Sequence, residues 1–165
     1  MTTVVFSHGQ ESGPWGTKIR AMAEMVRSLG CVADSIDYRG ISDPGERVDK
    51  LRRECAGIED RLVLVGSSMG GHVATAAAEA LGAAGLFVLA PAYFMPGYED
   101  LTPPPRIPIC IVHGRKDDIV PAENSIRFAR ACGATLHLVD GDHRLVGNIE
   151  EINEYLRLFL EKISD

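Results

Sequence analysis

Six short apolar stretches alternate along this chain with segments whose apolar residues recur at helical spacing. The stretches are Thr2–Ser7, Cys31–Tyr38, Arg61–Gly66, Gly85–Ala90, Ile107–His113 and Ala134–Asp140. Arg61–Gly66, Gly85–Ala90 and Ile107–His113 are continuously apolar, the pattern of strands covered on both faces. Ala134–Asp140 alternates Leu136 and Leu138 with Thr135 and His137, which predicts a less covered edge strand. Cys31–Tyr38 carries the weakest strand signal.

The intervening segments have helical start and stop signals. Lys18–Leu29 places Ile19, Met22, Val26 and Leu29 on one face and can end at Gly30. Asp43-Pro44-Gly45-Glu46 offers an N-cap, a first-turn proline and a capping glutamate, followed by the stripe Val48, Leu51, Cys55 and Ile58. Met69–Leu81 is apolar almost all round, which predicts the most buried helix. Pro121–Cys132 stops before Gly133. Asn148 and Glu151 form another capping pair, ahead of the stripe Ile149, Ile152, Leu156, Phe159, Leu160 and Ile163. Strand–helix alternation implies right-handed crossovers and a parallel sheet. The expected architecture is an α/β fold of about six parallel strands with helices on both faces, in a single domain over residues 1–165. Pro91–Pro108 breaks the alternation. Its six prolines exclude one regular helix, and it reads as a long functional loop over the sheet's C-terminal edge.

Composition narrows the function classes. The net charge of −6 and the scattered basic residues argue against nucleic-acid binding, which needs a clustered basic face. Cys31, Cys55, Cys110 and Cys132 lack C-x-x-C spacing and read as reduced thiols, not a zinc or redox site. Met1–Phe6 has no basic leader pattern, and no apolar run reaches the roughly 18 residues of a membrane span. The default expectation is a cytoplasmic protein with no metal, cofactor, membrane or nucleic-acid partner. Oligomeric state is not legible.

Candidate chemistry begins at Gly66-Ser67-Ser68-Met69-Gly70-Gly71, between an apolar stretch and the buried helix. G-x-S-x-G at a strand-to-helix turn holds Ser68 in strained geometry with its hydroxyl above the sheet. Side chains at 66 and 70 would collide across such a turn, and glycine removes them. A serine nucleophile needs a base, and the base needs an orienting carboxylate. After the fifth stretch comes His113-Gly114-Arg115-Lys116-Asp117-Asp118, and after the sixth comes Gly141-Asp142-His143. Asp117 is the expected acid, with Asp118 its rival, and His143 is the expected base. His8 and His113, beside glycines at strand ends, read as loop-holding; His137 reads as structural. His72, in the first turn of the nucleophile helix, either lines the site or packs. The N–H groups of Met69 and Gln10 are the expected oxyanion donors. Trp15, Tyr93, Phe94, Met95 and Tyr98 are the expected walls of a small apolar substrate pocket.

Together these segments resemble the α/β-hydrolase superfamily over nearly the whole chain. Ser7-His8-Gly9 resembles its oxyanion loop, Asp37-Tyr38-Arg39-Gly40 its D-x-R-G segment, and Gly66–Gly71 its nucleophile elbow. His113–Pro121 is similar to its H-G-x-x-D-x-x-V-P acid loop, and Gly141–His143 to its base turn. Shortness and the Gly-Ser-Ser-Met-Gly-Gly elbow look most like small bacterial esterases and thioesterases of the YqiA and dienelactone-hydrolase groups. Dienelactone hydrolases carry a cysteine nucleophile, and none stands at this elbow. The resemblance implies a truncated sheet, starting at the equivalent of the family's third strand, without a cap domain. The function expected is hydrolysis of a small carboxylic ester or thioester through an acyl-enzyme. A non-catalytic hydrolase-fold protein that binds a ligand or partner is the alternative.

Overall fold

The computed structural model describes residues 1–98 and 104–165. Six parallel strands form one sheet: β1 (Thr2–Ser7), β2 (Val32–Ile36), β3 (Arg61–Ser67), β4 (Gly85–Leu89), β5 (Ile109–Gly114) and β6 (Thr135–Val139), in the order β2-β1-β3-β4-β5-β6. Five helices connect or follow them: α1 (Thr17–Ser28), α2 (Pro44–Cys55), α3 (Met69–Ala78), α4 (Ala122–Cys132) and α5 (Ile149–Ser164). This is the truncated α/β-hydrolase arrangement, and no cap domain interrupts it among the described residues.

The continuous apolar runs follow from two-sided coverage. Val5, Leu62, Leu64, Leu86, Val88, Ile109 and Ile111 face the core under α2, α3 and α4. Their strand neighbours Val4, Phe6, Val63, Val65, Phe87, Leu89, Cys110 and Val112 face the core under α1 and α5. Each alternate residue thus meets apolar surface, whichever way it points. At the two edges the pattern thins: β2 and β6 each leave several residues exposed or half-buried. In α3 every residue except Ala76 is buried.

The helix ends mostly obey their local signals. Asp43 accepts a hydrogen bond from the Glu46 N–H at 2.9 Å, and Gly133 closes α4 at φ 72°. The Asn148–Glu151 pair is a correction. No side-chain cap bond forms at the start of α5; the Asn148 amide donates to the Asp140 carbonyl and to the Glu151 carboxylate. Asn148 is drawn away from the helix end because it closes the loop after β6. A short 3-10 turn (Val146–Asn148), without a pattern of its own, precedes α5. Of the proline-rich loop, residues 99–103 lie outside the described residues.

Strand order reverses beside β1: the chain leaves β1 for β2 on one side and returns to β3 on the other. At such a switch point the two connections diverge and open a crevice beyond the strands' C-terminal ends. Ser7 pairs in register with Gly66 there, so the segment after β1 and the turn after β3 emerge side by side.

Candidate active site

Ser68 sits at the crest of the turn from β3 into α3 with φ 54° and ψ −119°, a strained region for a residue with a side chain. Bonds on both sides hold it there: the Ser68 N–H donates to the Leu89 carbonyl at 2.9 Å, and the Ala92 N–H donates to the Ser68 carbonyl at 3.0 Å. A Cβ on Gly66 would lie 2.3 Å from the Gly70 oxygen, and one on Gly70 would lie 2.0 Å from the Ser7 oxygen. Both glycines therefore permit a backbone approach that no other residue allows.

The turns after β5 and β6 close on each other. The Arg115 N–H donates to Val139 O, the Lys116 N–H donates to Gly141 O, and a Cβ on Gly114 would lie 2.3 Å from Gly141 O. Asp142 Oδ1 accepts from the N–H groups of Arg144 and Leu145. Leu145, in left-handed conformation, is fully buried and anchors this turn.

These turns bring three side chains into one hydrogen-bonded chain. His143 Nδ1 lies 2.8 Å from Asp117 Oδ2, and His143 Nε2 lies 3.0 Å from Ser68 Oγ. Asp117's carboxylate is fully buried and richly solvated by donors. Oδ1 accepts from the N–H groups of Ile119 (2.9 Å) and Val120 (2.8 Å). His113 Nε2–H, shared with the Val120 carbonyl, lies 3.1 Å from Oδ2. Asp118 is exposed and has no such partners.

The amides of Met69 and Gln10 have no acceptor among the described residues. The Gly9 backbone runs close to the serine: a Cβ built on Gly9 would lie 3.6 Å from Ser68 Cβ. His8 is fully buried and joins this loop to the segment after β2, since its Nε2 accepts the Tyr38 N–H at 2.9 Å. His137, in β6, stacks on Tyr155 at 3.8 Å.

The five expected wall residues separate. Tyr93 is a correction: it is fully buried, stacked on Phe128 at 4.0 Å, and its hydroxyl donates to Thr75 Oγ1. It packs α3 against α4 because a phenol finds both an apolar slot and a partner there. Phe94 lies under the Arg127 guanidinium, and Met95 Sδ accepts from Asn124, so both rest on α4. Trp15 is 40% exposed beneath Arg27 of α1. Tyr98 reaches α3, edge-on to His72 at 4.9 Å.

Three participants carry no motif of their own. Lys18 donates from Nζ to Ser67 Oγ at 3.3 Å, and burial pushes its pKa down to about 8 against the pull of Asp142 and Asp117. Arg47 is buried beneath the His8–Gly9 loop; its four-residue offset from Leu51, on the apolar stripe, is the signal that could have marked it. His72 is 93% buried by its 7% exposure, its Nδ1 lacks a partner, and burial lowers its pKa to about 4. An unfolded His72 titrates near 6.5, so stability is full above that pH and falls as pH drops toward 4. Its share of the loss should be about 2 kcal/mol by pH 5. Urea midpoints at pH 7 and 5 should show a wild-type loss exceeding that of His72→Gln by this amount; equal losses would refute the assignment.

No metal-ligating cluster and no helix long and apolar enough to cross a membrane occurs among the described residues. No curated protein matches the chain in sequence. Among solved structures, it is similar to a protein described as a hydrolase of the alpha/beta superfamily from Xanthomonas campestris pv. campestris. That match has TM-score 0.89 and 28% identity, over 98% of this chain and 97% of that one. It also resembles Est1E from Butyrivibrio proteoclasticus with ferulic acid bound (TM-score 0.88, 17% identity, 100% and 90% covered). A lidless a/b serine hydrolase from Xanthomonas campestris aligns with TM-score 0.81 and 23% identity, over 98% and 81%. The last two likenesses are of fold. Residues 4–131 match the profile described as Alpha/beta hydrolase family, a span that runs from within β1 past the Asp117 turn. With more than half its length inside that match, and the sheet order and crevice to go with it, this chain belongs to the alpha/beta hydrolase family.

Proposed function

We propose that this chain is a serine hydrolase that cleaves a small carboxylic ester or thioester through an acyl-enzyme intermediate. One observation carries the reading: the unbroken path from Ser68 Oγ through both ring nitrogens of His143 to the buried Asp117 carboxylate. The carboxylate holds the His143 Nδ1–H, so the Nε2 lone pair faces the serine hydroxyl. Ser68 Oγ attacks the substrate carbonyl carbon, its proton passes to Nε2, and the carbonyl electron pair moves onto oxygen. The N–H groups of Met69 and Gln10 donate to that oxyanion. Collapse expels the alcohol or thiol, which takes the proton from His143. Water then attacks the acyl-Ser68 ester, giving a proton to Nε2. The second collapse returns it to Ser68 Oγ and frees the acid. The steps balance with water as the only co-substrate.

The half-buried Tyr98 beside His72 supports a small apolar wall near the nucleophile helix. A fluorophosphonate probe tests the nucleophile directly. Wild-type protein should be labelled at Ser68, located by peptide mass mapping, and Ser68→Ala should not be labelled. Folded wild type that resists labelling would overturn the hydrolase reading and favour a binding protein on a hydrolase fold.

A further inference from the structure

We infer that Arg47 is a positioning residue for this reaction, holding the Gly9–Gln10 peptide so that its N–H serves as an oxyanion donor. The inference rests on the serine-hydrolase reading above. Arg47 lies on the inner face of α2, 2% exposed, one helical turn before the core residue Leu51. A guanidinium in that place is costly to bury. Among the described residues no carboxylate is within ion-pair distance of it. Its donors go instead to backbone carbonyls: Nε to Ile41 at 2.7 Å, and Nη1 to His8 at 3.3 Å and to Gly9 at 3.1 Å. Its position over the Tyr38 ring, 5.1 Å from the centroid, fixes the plane of the fork.

The Gly9 carbonyl is the centre of this arrangement. Tyr38 N–H donates to His8 Nε2, so Nε2 is the acceptor and the ring proton of neutral His8 sits on Nδ1. Burial, which lowers the His8 pKa, keeps that ring neutral. Nδ1–H then donates to Gly9 O at 2.7 Å, and Ser12 Oγ donates to the same oxygen at 3.4 Å. With Arg47, three donors converge on one carbonyl. The chain has no cis peptide bond, and in a trans peptide the C=O and the following N–H point in opposite directions. Gly9 O pinned toward α2 therefore turns the Gln10 N–H away from α2 and toward the crevice at Ser68. A flipped peptide would set the N–H against the guanidinium and put the carbonyl where the oxyanion forms. Arg47 opposes that flip, and its charge polarises the amide into a stronger donor.

The test compares wild type with Arg47→Met, which keeps a long side chain and removes every donor, using p-nitrophenyl acetate. kcat should fall by about 10- to 100-fold, short of losing a whole donor, with KM within about threefold. The inhibition constant of a trifluoromethyl ketone, whose adduct with Ser68 carries the oxyanion, should rise by the same factor. A merely structural role would move KM and the inhibition constant together. If Arg47→Met does not fold, Arg47→Lys carries the same comparison. One ammonium cannot span both Ile41 O and the His8–Gly9 pair, so a smaller loss of kcat with the same split is expected. A folded variant that retains kcat, or loses KM and inhibitor affinity in parallel, overturns this inference alone. A wild type without Ser68-dependent turnover overturns the hydrolase reading and takes this inference with it.

Discussion

Replacing Ser68 by alanine is expected to lower the turnover of p-nitrophenyl acetate by at least about 10³-fold, which is roughly 4 kcal/mol of transition-state stabilisation. Among the described residues the hydroxyl is the only group within hydrogen-bond reach of His143 Nε2, so none of them inherits the attack. His143→Ala should cost a similar factor, because the proton then has no acceptor. The double variant should lose little beyond either single one, since nucleophile and base act as one unit. That non-additivity separates catalysis from general damage, because two independent structural losses would multiply. The fully buried Asp117 carboxylate keeps all four donors in Ser68→Ala and the other three in His143→Ala, so both should stay folded with melting temperatures near wild type. Wild-type rates in folded Ser68→Ala would end the proposal, as would losses that multiply in the double variant.

Much of the scaffold was legible because each strand's coverage is written into its own residues. Val63 and Val65 face one core while Leu62 and Leu64 face the other, so β3 shows no alternation and declares both faces dry. β6 has an exposed side, and Thr135, Leu136, His137 and Leu138 show it. The candidate site was legible for a related reason. Chemistry at the C-terminal edge of a parallel sheet has to come from turns just after strands, so Ser68, Asp117 and His143 could be sought in a few short windows. The choice between Asp117 and Asp118 was harder. Both lie in one turn, and only the three-dimensional course of that turn puts 117 against His143 and leaves 118 outside. The misjudged residues share a different cause. Its place in a loop points Tyr93 toward the pocket, yet a loop residue's direction depends on what lies beneath it, here the slot between Thr75 and Phe128. Asn148 has the composition of a cap and is used elsewhere, by the Asp140 carbonyl. Arg47 lies on an apolar stripe as the single charged residue. Periodicity reports that such a residue is buried, but what its hydrogen-bond donors reach is set by a loop nearly forty residues away.

Gly70→Ala is expected to be the most destabilising small change in the chain. Residue 70 is in the first turn of α3, where alanine would ordinarily gain about 1 kcal/mol over glycine in helix propensity. Its restriction of the unfolded chain would add a fraction of that again. Against these gains stands a methyl group 2.0 Å from the Ser7 oxygen and 2.5 Å from the His8 oxygen, where ordinary contact needs more than 3.4 Å. Both obstacles are backbone atoms at the end of a central strand, and β1 is held in register on both sides by β2 and β3. Neither can swing aside as a side chain would. Relief requires α3 and β1 to separate by about an ångström, which opens the core beneath Val73 and Ala74 and pulls the His8–Gly9 loop off Ser68. The net cost should exceed about 4 kcal/mol, a fall of about 10 °C or more in melting temperature, or failure to fold at all. Gly147→Ala is the matched comparison: a Cβ there meets nothing within 4 Å, so its melting temperature should stay within about 2 °C of wild type. A Gly70→Ala protein that melts with the wild type would mean that β1 and α3 do not meet as closely as described. The close approach of the His8–Gly9 loop to Ser68, which the proposed oxyanion donors need, would then fail with it.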